Sequence, residues 1–159
     1  MQARDLGQVV ALADRLFPDH PEAVSCFAER LALGADLCLS LSDEEHNIVG
    51  YAMAYPWPLG CIPPLNEPLA PVPVAEGSAY LHDLGIDPEF SGFGYARTGL
   101  ATLVARACRA GMHCLALVAV NRSAPFWQRQ GFRIHELDPA MATKLATYGA
   151  EAHYMIWSL

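Results

Sequence analysis

The feature that most constrains this chain is an unbroken run from residue 78 to residue 107, SAYLHDLGIDPEFSGFGYARTGLATLVARA. Its first part, up to Ile86, is mostly apolar and predicts a buried strand, which Asp87-Pro88 ends because proline cannot donate to a sheet ladder. Apolar residues then return at the spacing of an amphipathic helix, at Leu100, Leu103, Val104 and Ala107. The run therefore predicts a strand, a short loop and a helix that packs on the same sheet.

The loop in this run is rich in glycine and predicts a phosphate-binding site. Glycine allows positive φ, and several N–H groups can then point at one ligand with no Cβ atom in the way. The first N–H groups of the next helix are free and lie at the positive end of its dipole. We expect a diphosphate to bind at Ser91, Gly92, Phe93, Gly94, Tyr95, Ala96 and Arg97. On the loop alone, the alternative that Gly92 and Gly94 only form a tight turn stays open.

Two other phosphate-binding patterns do not fit the loop. A dinucleotide-binding fingerprint would need glycine or alanine where Arg97 stands, and a kinase-type phosphate loop would need Gly-Lys-Ser/Thr. The loop is therefore assigned to neither class.

A second segment, residues 115–132, adds a related signal. Its sequence LALVAVNRSAPFWQRQGF predicts an apolar strand that ends at Asn121, then a short helix and the start of another strand. Together the two segments resemble the GNAT superfamily of acyl-CoA N-acetyltransferases. In that family the loop pattern Arg/Gln-x-x-Gly-x-Gly/Ala binds the pyrophosphate of acetyl-CoA, and a later helix carries Ala-x-x-Phe-Tyr. The matching positions are Ser91, Gly94 and Ala96, followed by Asn121, Phe126, Trp127, Gly131 and Phe132.

Three positions depart from the family pattern. Ser91 replaces the usual Arg or Gln, which weakens one contact to the diphosphate, and Ser123 replaces the usual alanine. Trp127 replaces the tyrosine that protonates the departing thiolate in the family. An indole N–H donates a hydrogen bond but is not a practical acid near neutral pH. The usual general acid is therefore missing from its usual place.

The length and the resemblance together imply a single α/β (α+β) domain over residues 1–159, with a mixed, mostly antiparallel central sheet flanked by helices. The patterns predict one helix from Asp5 to about Phe17 and a second helix that ends at about Leu33. They also predict strands at Asp36–Ser42, Ile48–Trp57 and Met112–Val120, and a helix or loop at Pro139–Tyr148. A final strand, Ala152–Leu159, is expected to pair with Phe132–Leu137.

The implied function is transfer of an acetyl group from acetyl-CoA to a primary amine of a small molecule or peptide by direct attack. We expect Gly85 to mark a bulge that parts its strand from the strand at 115–120. Backbone groups of Leu84 and Ile86 would then bond the pantetheine arm, and the N–H of Leu84 would donate to the thioester oxygen.

The amine must lose a proton before it attacks, and His82 and Asp83 are the candidates to take it. We expect their side chains on opposite faces of the strand, so that only one faces the acceptor, and we favour His82. The alternative is that His82 is a structural histidine. Tyr154 and Tyr80 are candidate substitutes for the missing tyrosine.

For several other residues, two interpretations stay open. Asn121 either bonds the pantetheine arm or ends its strand in an Asx-type turn. Arg97 either contacts phosphate or only solvates its helix, and Arg122 is a further candidate phosphate contact. Tyr55, Trp57 and Trp127 either line an aromatic acceptor pocket or belong to the core.

Composition narrows the partners. The net charge of −7 argues against nucleic acid and fits a cationic acceptor. Hydrophobic residues make up 53% and charged residues 17%, so we expect a homodimer that covers part of the surface. Five cysteines without a CxxC pair predict a reducing cytoplasm and no metal site, and no apolar stretch predicts a leader or a membrane span.

Two further hypotheses remain. Residues 56–73 hold many prolines and predict either a lid or a disordered excursion inside the domain; deleting residues 60–70 should change substrate preference if they form a lid. Trp127 keeps a second function in view, a non-catalytic acyl-CoA-binding module.

Overall fold

The computed structural model describes residues 1–69 and 77–159, in which a six-stranded sheet is covered by helices on both faces. The strands are β1 (Leu39–Ser42), β2 (Ile48–Pro56), β3 (Ser78–Ile86), β4 (Cys114–Ala119), β5 (Arg133–Ile134) and β6 (His153–Ser158). The helices are α1 (Leu6–Leu16), α2 (Val24–Leu33), α3 (Tyr95–Arg109), α4 (Ala124–Gln130) and α5 (Pro139–Ala146). Within these described ranges, no helix has both the length and the apolar composition that crossing a bilayer requires.

The sheet has the order β1-β2-β3-β4-β6-β5. Only β3 and β4 are parallel neighbours, because α3 carries the chain back across the sheet between them. Every other neighbouring pair in the described sheet is antiparallel. The expectation of a mixed, mostly antiparallel sheet is confirmed. The final strand pairs with β5 at Arg133 and Ile134, as the sequence predicted.

Two apolar cores lie on opposite faces of the sheet. On one face, Tyr51, Met53 and Tyr55 of β2 pack with the apolar residues of α1 and α2. On the other, Ala52 and Ala54 pack beneath α3 and α4. This alternation along β2 follows from the two-residue period of a strand.

Two local expectations are wrong. The first strand begins at Leu39 rather than Asp36, because residues 34–38 continue as a turn in which the N–H groups of Leu37 and Cys38 donate to the carbonyl of Gly34. In α2, Val24 was expected in the buried stripe but is 54% exposed, and Arg30 is fully buried.

Residues 57–69 of the proline-rich connection pack against the helices. The ammonium of Lys144 donates to the carbonyl of Ile62 at 2.7 Å, and the hydroxyl of Tyr148 donates to the carbonyl of Pro63 at 3.2 Å. The remainder of the expected lid, residues 70–73, lies outside the described residues, as does one residue of the 60–70 deletion. The lid stays a prediction.

Candidate active site

The parallel strands β3 and β4 separate shortly after they begin. They pair only from Ser78 to Tyr80, opposite Cys114 to Ala116, and the rest of β3 has no β4 partner. On its other side, β3 bonds to β2, and the N–H of Asp87 donates to the carbonyl of Val49 at 2.8 Å. Because backbone groups alternate in direction, the N–H groups of Leu84 and Ile86 point away from β2 and into the gap. The expected parting of the strands is present.

The bulge in β3 does not lie where the sequence placed it. The register between β2 and β3 shifts between Met53 and Ala54, which pair with Asp83 and Leu81, so His82 is the extra residue. Gly85 pairs regularly with Tyr51, and the expected bulge there is wrong.

Gly85 is required for packing. A Cβ atom at this position would lie 2.6 Å from Cδ1 of Leu16 and 3.0 Å from Cε1 of Tyr51. The glycine therefore lets α1 and the Tyr51 ring approach β3 closely.

The bulge turns His82 and Asp83 to the same face, so the expectation of opposite faces is wrong. Nδ1 of His82 lies 3.3 Å from the hydroxyl of Tyr55. The hydroxyl of Tyr51, two residues before Met53 on the same face of β2, donates to Oδ2 of Asp83 at 3.1 Å. Both side chains therefore reach one site.

A third side chain, Glu22, completes this cluster from the connection between α1 and α2. Its Oε1 is hydrogen-bonded to Nε2 of His82. Its Oε2 lies 2.9 Å from a guanidinium nitrogen of Arg30 and accepts from the N–H of Asn66 at 2.7 Å. Because the carboxylate accepts, Nε2 of His82 carries a proton, and in the neutral ring Nδ1 accepts from Tyr55.

Arg30 is the buried cation of this cluster. Besides Glu22, it donates to the carbonyls of Cys26 at 3.1 Å and Pro64 at 2.8 Å. A buried charge is tolerated when it is paired and hydrogen-bonded in this way. Arg30 thus fixes Glu22 and ties α2 to the proline-rich connection.

The two carboxylates have different proton affinities. Burial opposes ionisation of Glu22, but the hydrogen bond and electrostatic interaction with His82, the Asn66 N–H and the Arg30 guanidinium outweigh it and lower the pKa of Glu22. Burial raises the pKa of Asp83, and the charge of Glu22 raises it further, while His82, Tyr51 and Arg30 offset this only partly. Asp83 is therefore the more basic carboxylate.

Asp83 also has an available oxygen. Its Oδ2 accepts from Tyr51, whereas its Oδ1 has no hydrogen-bond partner among residues 1–69 and 77–159. Both ring nitrogens of His82 and both oxygens of Glu22 are engaged. A ligand in the site would therefore find its free proton acceptor at Asp83.

Glu22, His82 and Asp83 offer ligand atoms that lie within 4.8 Å of one another, close enough to surround a metal ion. However, the Arg30 guanidinium already neutralises Glu22, and Glu22 already holds His82. The ligand atoms of Glu22 and His82 are therefore already engaged in contacts within the protein.

A cavity of about 330 Å³ connects this cluster with the start of α3. Its walls come from six parts of the fold: the first two helices with their connection, Leu65 of the proline-rich connection, β3, the start of α3, the end of β4 with α4, and Tyr148. The expected cofactor-binding residues that line it are Leu84, Ile86, Ala96, Asn121, Phe126 and Trp127.

At the start of α3, Gly92 and Gly94 adopt φ of +85° and +83°, which glycine allows. The N–H of Thr98 donates to the carbonyl of Gly94 at 3.0 Å, and this bond opens the helix. In the described part of the chain, the N–H groups from Gly92 to Arg97 have no acceptor. A Cβ atom at either glycine would meet nothing within 4 Å, so the space before these N–H groups is open.

Two expected acceptor residues lie in the core. Tyr55 is fully buried and Trp57 is 4% exposed, and neither lines the cavity. The structure does not support their assignment to an acceptor pocket, although Tyr55 contacts the site through His82. Trp127 does line the cavity.

Tyr154 is also placed away from the cavity. It is fully buried, and its hydroxyl accepts from the N–H of Gly60 at 2.9 Å. Tyr80 lines the cavity, and its hydroxyl has no partner among the described residues. The geometry thus favours Tyr80 over Tyr154 as the tyrosine beside a bound ligand.

The remaining expected residues lie near the loop and α4. The indole of Trp127 packs edge-on against Phe126, at 4.9 Å between ring centroids. Asn121 adopts a φ of +51°, in the left-handed region that asparagine tolerates. Arg97 is exposed, and Arg122 is paired with Glu151 at 2.8 Å.

Sequence reasoning missed Glu22, Arg30 and Tyr148. One signal was present: Arg30 lies three residues after Phe27 and one before Leu31, inside the apolar face of a helix. A buried arginine needs an acidic partner, and a search for one would have pointed to the nearby Glu22.

The family model for the acetyltransferase (GNAT) family matches residues 8–132, most of the chain. This chain belongs to that family. The GNAT match includes most of α1 and all of α2, α3, α4 and β1 to β4, and so contains the whole cluster and the glycine loop. None of the curated proteins compared with it matches in sequence.

Several solved structures share the fold of this GNAT protein. Ard1 from Thermoplasma volcanium has a TM-score of 0.77 at 12% identity, covering 100% of this chain and 94% of that one. N-acetylglutamate synthase from Neisseria gonorrhoeae, complexed with coenzyme A and N-acetyl-glutamate, has a TM-score of 0.72 at 16% identity, covering 98% and 33%. Naa20 from Chaetomium thermophilum, bound to a bisubstrate analogue, has a TM-score of 0.70 at 18% identity, covering 100% and 84%.

Acetyl-CoA is the cofactor of this GNAT protein, and the residues present fit it. The free N–H groups from Gly92 to Arg97 suit its diphosphate, and the unpaired backbone of Leu84 and Ile86 suits an amide-rich arm. The cavity between β3 and β4 has room for that arm.

Proposed function

We propose that this GNAT protein is an N-acetyltransferase that moves an acetyl group from acetyl-CoA to a primary amine of a small molecule or peptide by direct attack. The observation that carries the proposal is the cavity that extends from Ala96, at the start of α3, to Glu22, His82 and Asp83. A cofactor anchored at one end and an amine bound at the other would meet inside it.

The backbone holds and orients the cofactor, which supplies the thioester to be cleaved. The N–H groups from Gly92 to Arg97 bind the diphosphate, and those of Leu84 and Ile86 bond the arm. The N–H of Leu84 is also the candidate donor to the thioester oxygen. Phe126, Trp127 and Asn121 line the side of the cavity opposite β3.

Asp83 takes the proton from the incoming amine. An alkyl ammonium has no lone pair with which to attack, so it must be deprotonated in place. Asp83 combines a free oxygen with a raised pKa, whereas the ring nitrogens of His82 are engaged. His82 and Glu22 orient the site and balance its charge. This assignment moves the role of the base from His82 to Asp83.

Tyr80 is the candidate donor to the departing thiolate. Tyr80 lines the cavity, and burial raises its pKa well above the ordinary value, so its hydroxyl stays protonated and would donate a hydrogen bond to the sulfur. The indole N–H of Trp127 supports the same sulfur by hydrogen bonding alone.

A covalent route through cysteine finds no support in the described residues. No cysteine in residues 1–69 or 77–159 lines the cavity. Burial raises the pKa of the Cys114 thiol, which makes it a poorer nucleophile.

The proposal is tested by measuring binding and turnover separately. Calorimetry with coenzyme A and acetyl-CoA measures binding, and a thiol reagent follows release of coenzyme A with a panel of primary amines, amino acids and peptides. We expect binding and amine-dependent release. Tight binding with no release on any acceptor would favour a non-catalytic acyl-CoA-binding module, in keeping with the loss of the usual tyrosine at Trp127.

A further inference from the structure

The acceptor end of the cavity carries negative charge and offers no cation to a ligand. Glu22 and Asp83 both line it, and no lysine or arginine is among its described lining residues. Arg30, which lies behind Glu22, is fully buried and already bonds Glu22, Cys26 and Pro64. A ligand carboxylate would therefore face the unpaired carboxylate of Asp83 and find no free cation.

The other walls at this end are apolar and aromatic. Phe17 and Phe27 line it from the side of the first two helices, Leu65 from the proline-rich connection, and Tyr148 from the segment after α5. Such walls favour a hydrocarbon or aromatic body on the ligand.

The walls of the acceptor end also contact one another. The ring of His20 lies 6.3 Å from the ring of Tyr148, measured between centroids, and both line the cavity. The hydroxyl of Tyr148 is hydrogen-bonded to the carbonyl of Pro63. The connection between α1 and α2, the proline-rich connection and the segment after α5 therefore meet at one place. The cavity, with a volume of about 330 Å³, must also take the pantetheine arm, which favours a compact acceptor.

We propose that the acceptor is a compact primary amine with an apolar or aromatic body and no carboxylate. The inference rests on the proposed acetyltransferase activity and narrows it to one class. The ammonium of the amine binds beside Asp83 and Glu22, and its body packs against Phe17, Phe27 and Tyr148. Amino acids are rejected because their carboxylate would lie near Asp83 without a counter-charge.

Matched pairs test the inference in the wild-type protein. Release of coenzyme A is compared between phenethylamine and free phenylalanine, and between tryptamine and free tryptophan. A short peptide amide with N-terminal phenylalanine is measured beside these two pairs as a larger acceptor. Each amine differs from its amino acid only by the carboxylate. We expect kcat/KM to be at least about tenfold higher for the amine of each pair, since like charges at close range cost more than one decade in affinity.

A variant with an added positive charge should reduce the preference for the amine over its amino acid. His20→Arg adds a cation to the wall of the acceptor end, and His20→Gln is the matched control without charge. We expect His20→Arg to raise the relative kcat/KM for phenylalanine over phenethylamine by at least about tenfold, and His20→Gln to leave that ratio unchanged.

The outcomes separate the two proposals. Equal or better turnover of the amino acids or of the peptide amide in the wild-type protein overturns the assigned acceptor class and leaves the acetyltransferase intact. Binding of acetyl-CoA with no turnover of any acceptor, including the peptide amide, removes both. Should His20→Arg fail to fold, the wild-type pairs still decide the question.

Discussion

At the scale of single residues, Asp83 is the side chain on which the proposed chemistry depends. It is buried beside a second carboxylate, and this environment raises its pKa. A carboxylate of raised pKa is a better proton acceptor near neutral pH than an ordinary aspartate. The hydrogen bond from Tyr51 keeps it from rising further.

Replacing Asp83 by asparagine should remove the proton acceptor and keep the shape of the site. We expect Asp83→Asn to lower kcat by about 100-fold or more, which is the usual contribution of a general base. Calorimetry should show unchanged affinity for coenzyme A, because the substitution keeps the backbone of β3 and the diphosphate is proposed to bind at the glycine loop. An unchanged kcat would contradict the role of Asp83.

The pH dependence of kcat/KM tests the role of Asp83 without removing its carboxylate. Activity needs ionised Asp83, so kcat/KM should fall as pH drops through its pKa, above the ordinary range of aspartate. Tyr51→Phe removes a hydrogen bond that favours the ionised form, so it should move this acidic limb to higher pH. The same limb in both proteins would assign it to a different group.

Tyr80 and Tyr154 form a matched pair of buried tyrosines. Tyr80→Phe should lower kcat by about tenfold or more, since its hydroxyl lies in the cavity. Tyr154→Phe should leave kcat unchanged and cost about 1 kcal/mol of stability, because its hydroxyl only accepts from Gly60. Steady-state kinetics and urea unfolding of both variants check this, and a larger kcat loss for Tyr154→Phe would reverse the assignment.

Glu22 has a structural role beside its place in the site. Glu22→Gln leaves the fully buried Arg30 without a counter-charge, and should lower the free energy of unfolding by about 3 kcal/mol or more. Urea unfolding measures this. Adding Arg30→Met to Glu22→Gln should recover part of the loss, since no uncompensated charge then remains. A double variant no more stable than Glu22→Gln would show that the ion pair is not the cause.

At the scale of elements, the strand–loop–helix unit from β3 to α3 is the part of the fold that we propose binds the cofactor through its backbone. Gly92 and Gly94 hold positive φ, and the open space in front of them is where a ligand would approach. A methyl group there would strain the backbone and block that space.

The glycine loop can be tested with a control at the other end of the same helix. Gly94→Ala should weaken coenzyme A binding by at least about tenfold in calorimetry, while costing about 1 kcal/mol of stability from backbone strain. Gly111→Ala has a similar φ of +76° and equally open surroundings, but lies beyond the end of α3. It should cost the same stability and leave binding unchanged. Equal losses of binding would mean that strain alone is responsible.

The same unit separates what could be predicted from what could not. The loop at Ser91 to Ala96, the stripe of α3 and the pairing of the last strand follow from local sequence patterns, and the structure contains them. The bulge at His82 does not, because it depends on how β2 and β3 align rather than on a residue type. The glycine at position 85, which sequence reasoning used to place the bulge, serves packing against Leu16.

At the scale of the whole molecule, the site brings together residues that are far apart in the sequence. Glu22 and His82 are separated by 60 positions, and Pro63 and Tyr148 by 85. Such contacts are set by the folded topology and have no local pattern. This is why the cofactor end could be predicted in detail, whereas the acceptor end required the structure.

The surface carries a few exposed large apolar side chains, including Phe93, Leu59 and Ile134. They lie on different elements: Phe93 in the glycine loop, Leu59 in the proline-rich connection and Ile134 in β5. The homodimer and the cytoplasmic location expected from composition stay predictions.

In the proposed function, the cofactor end and the acceptor end of one cavity serve one reaction. The most direct test is to supply acetyl-CoA and phenethylamine, and to follow released coenzyme A with a thiol reagent and N-acetylated amine by mass spectrometry in the same samples. We predict that the two products form at equal rates and that neither forms at that rate without the amine. Coenzyme A release that is independent of the amine, or no acetylated amine despite measured acetyl-CoA binding, would contradict the account.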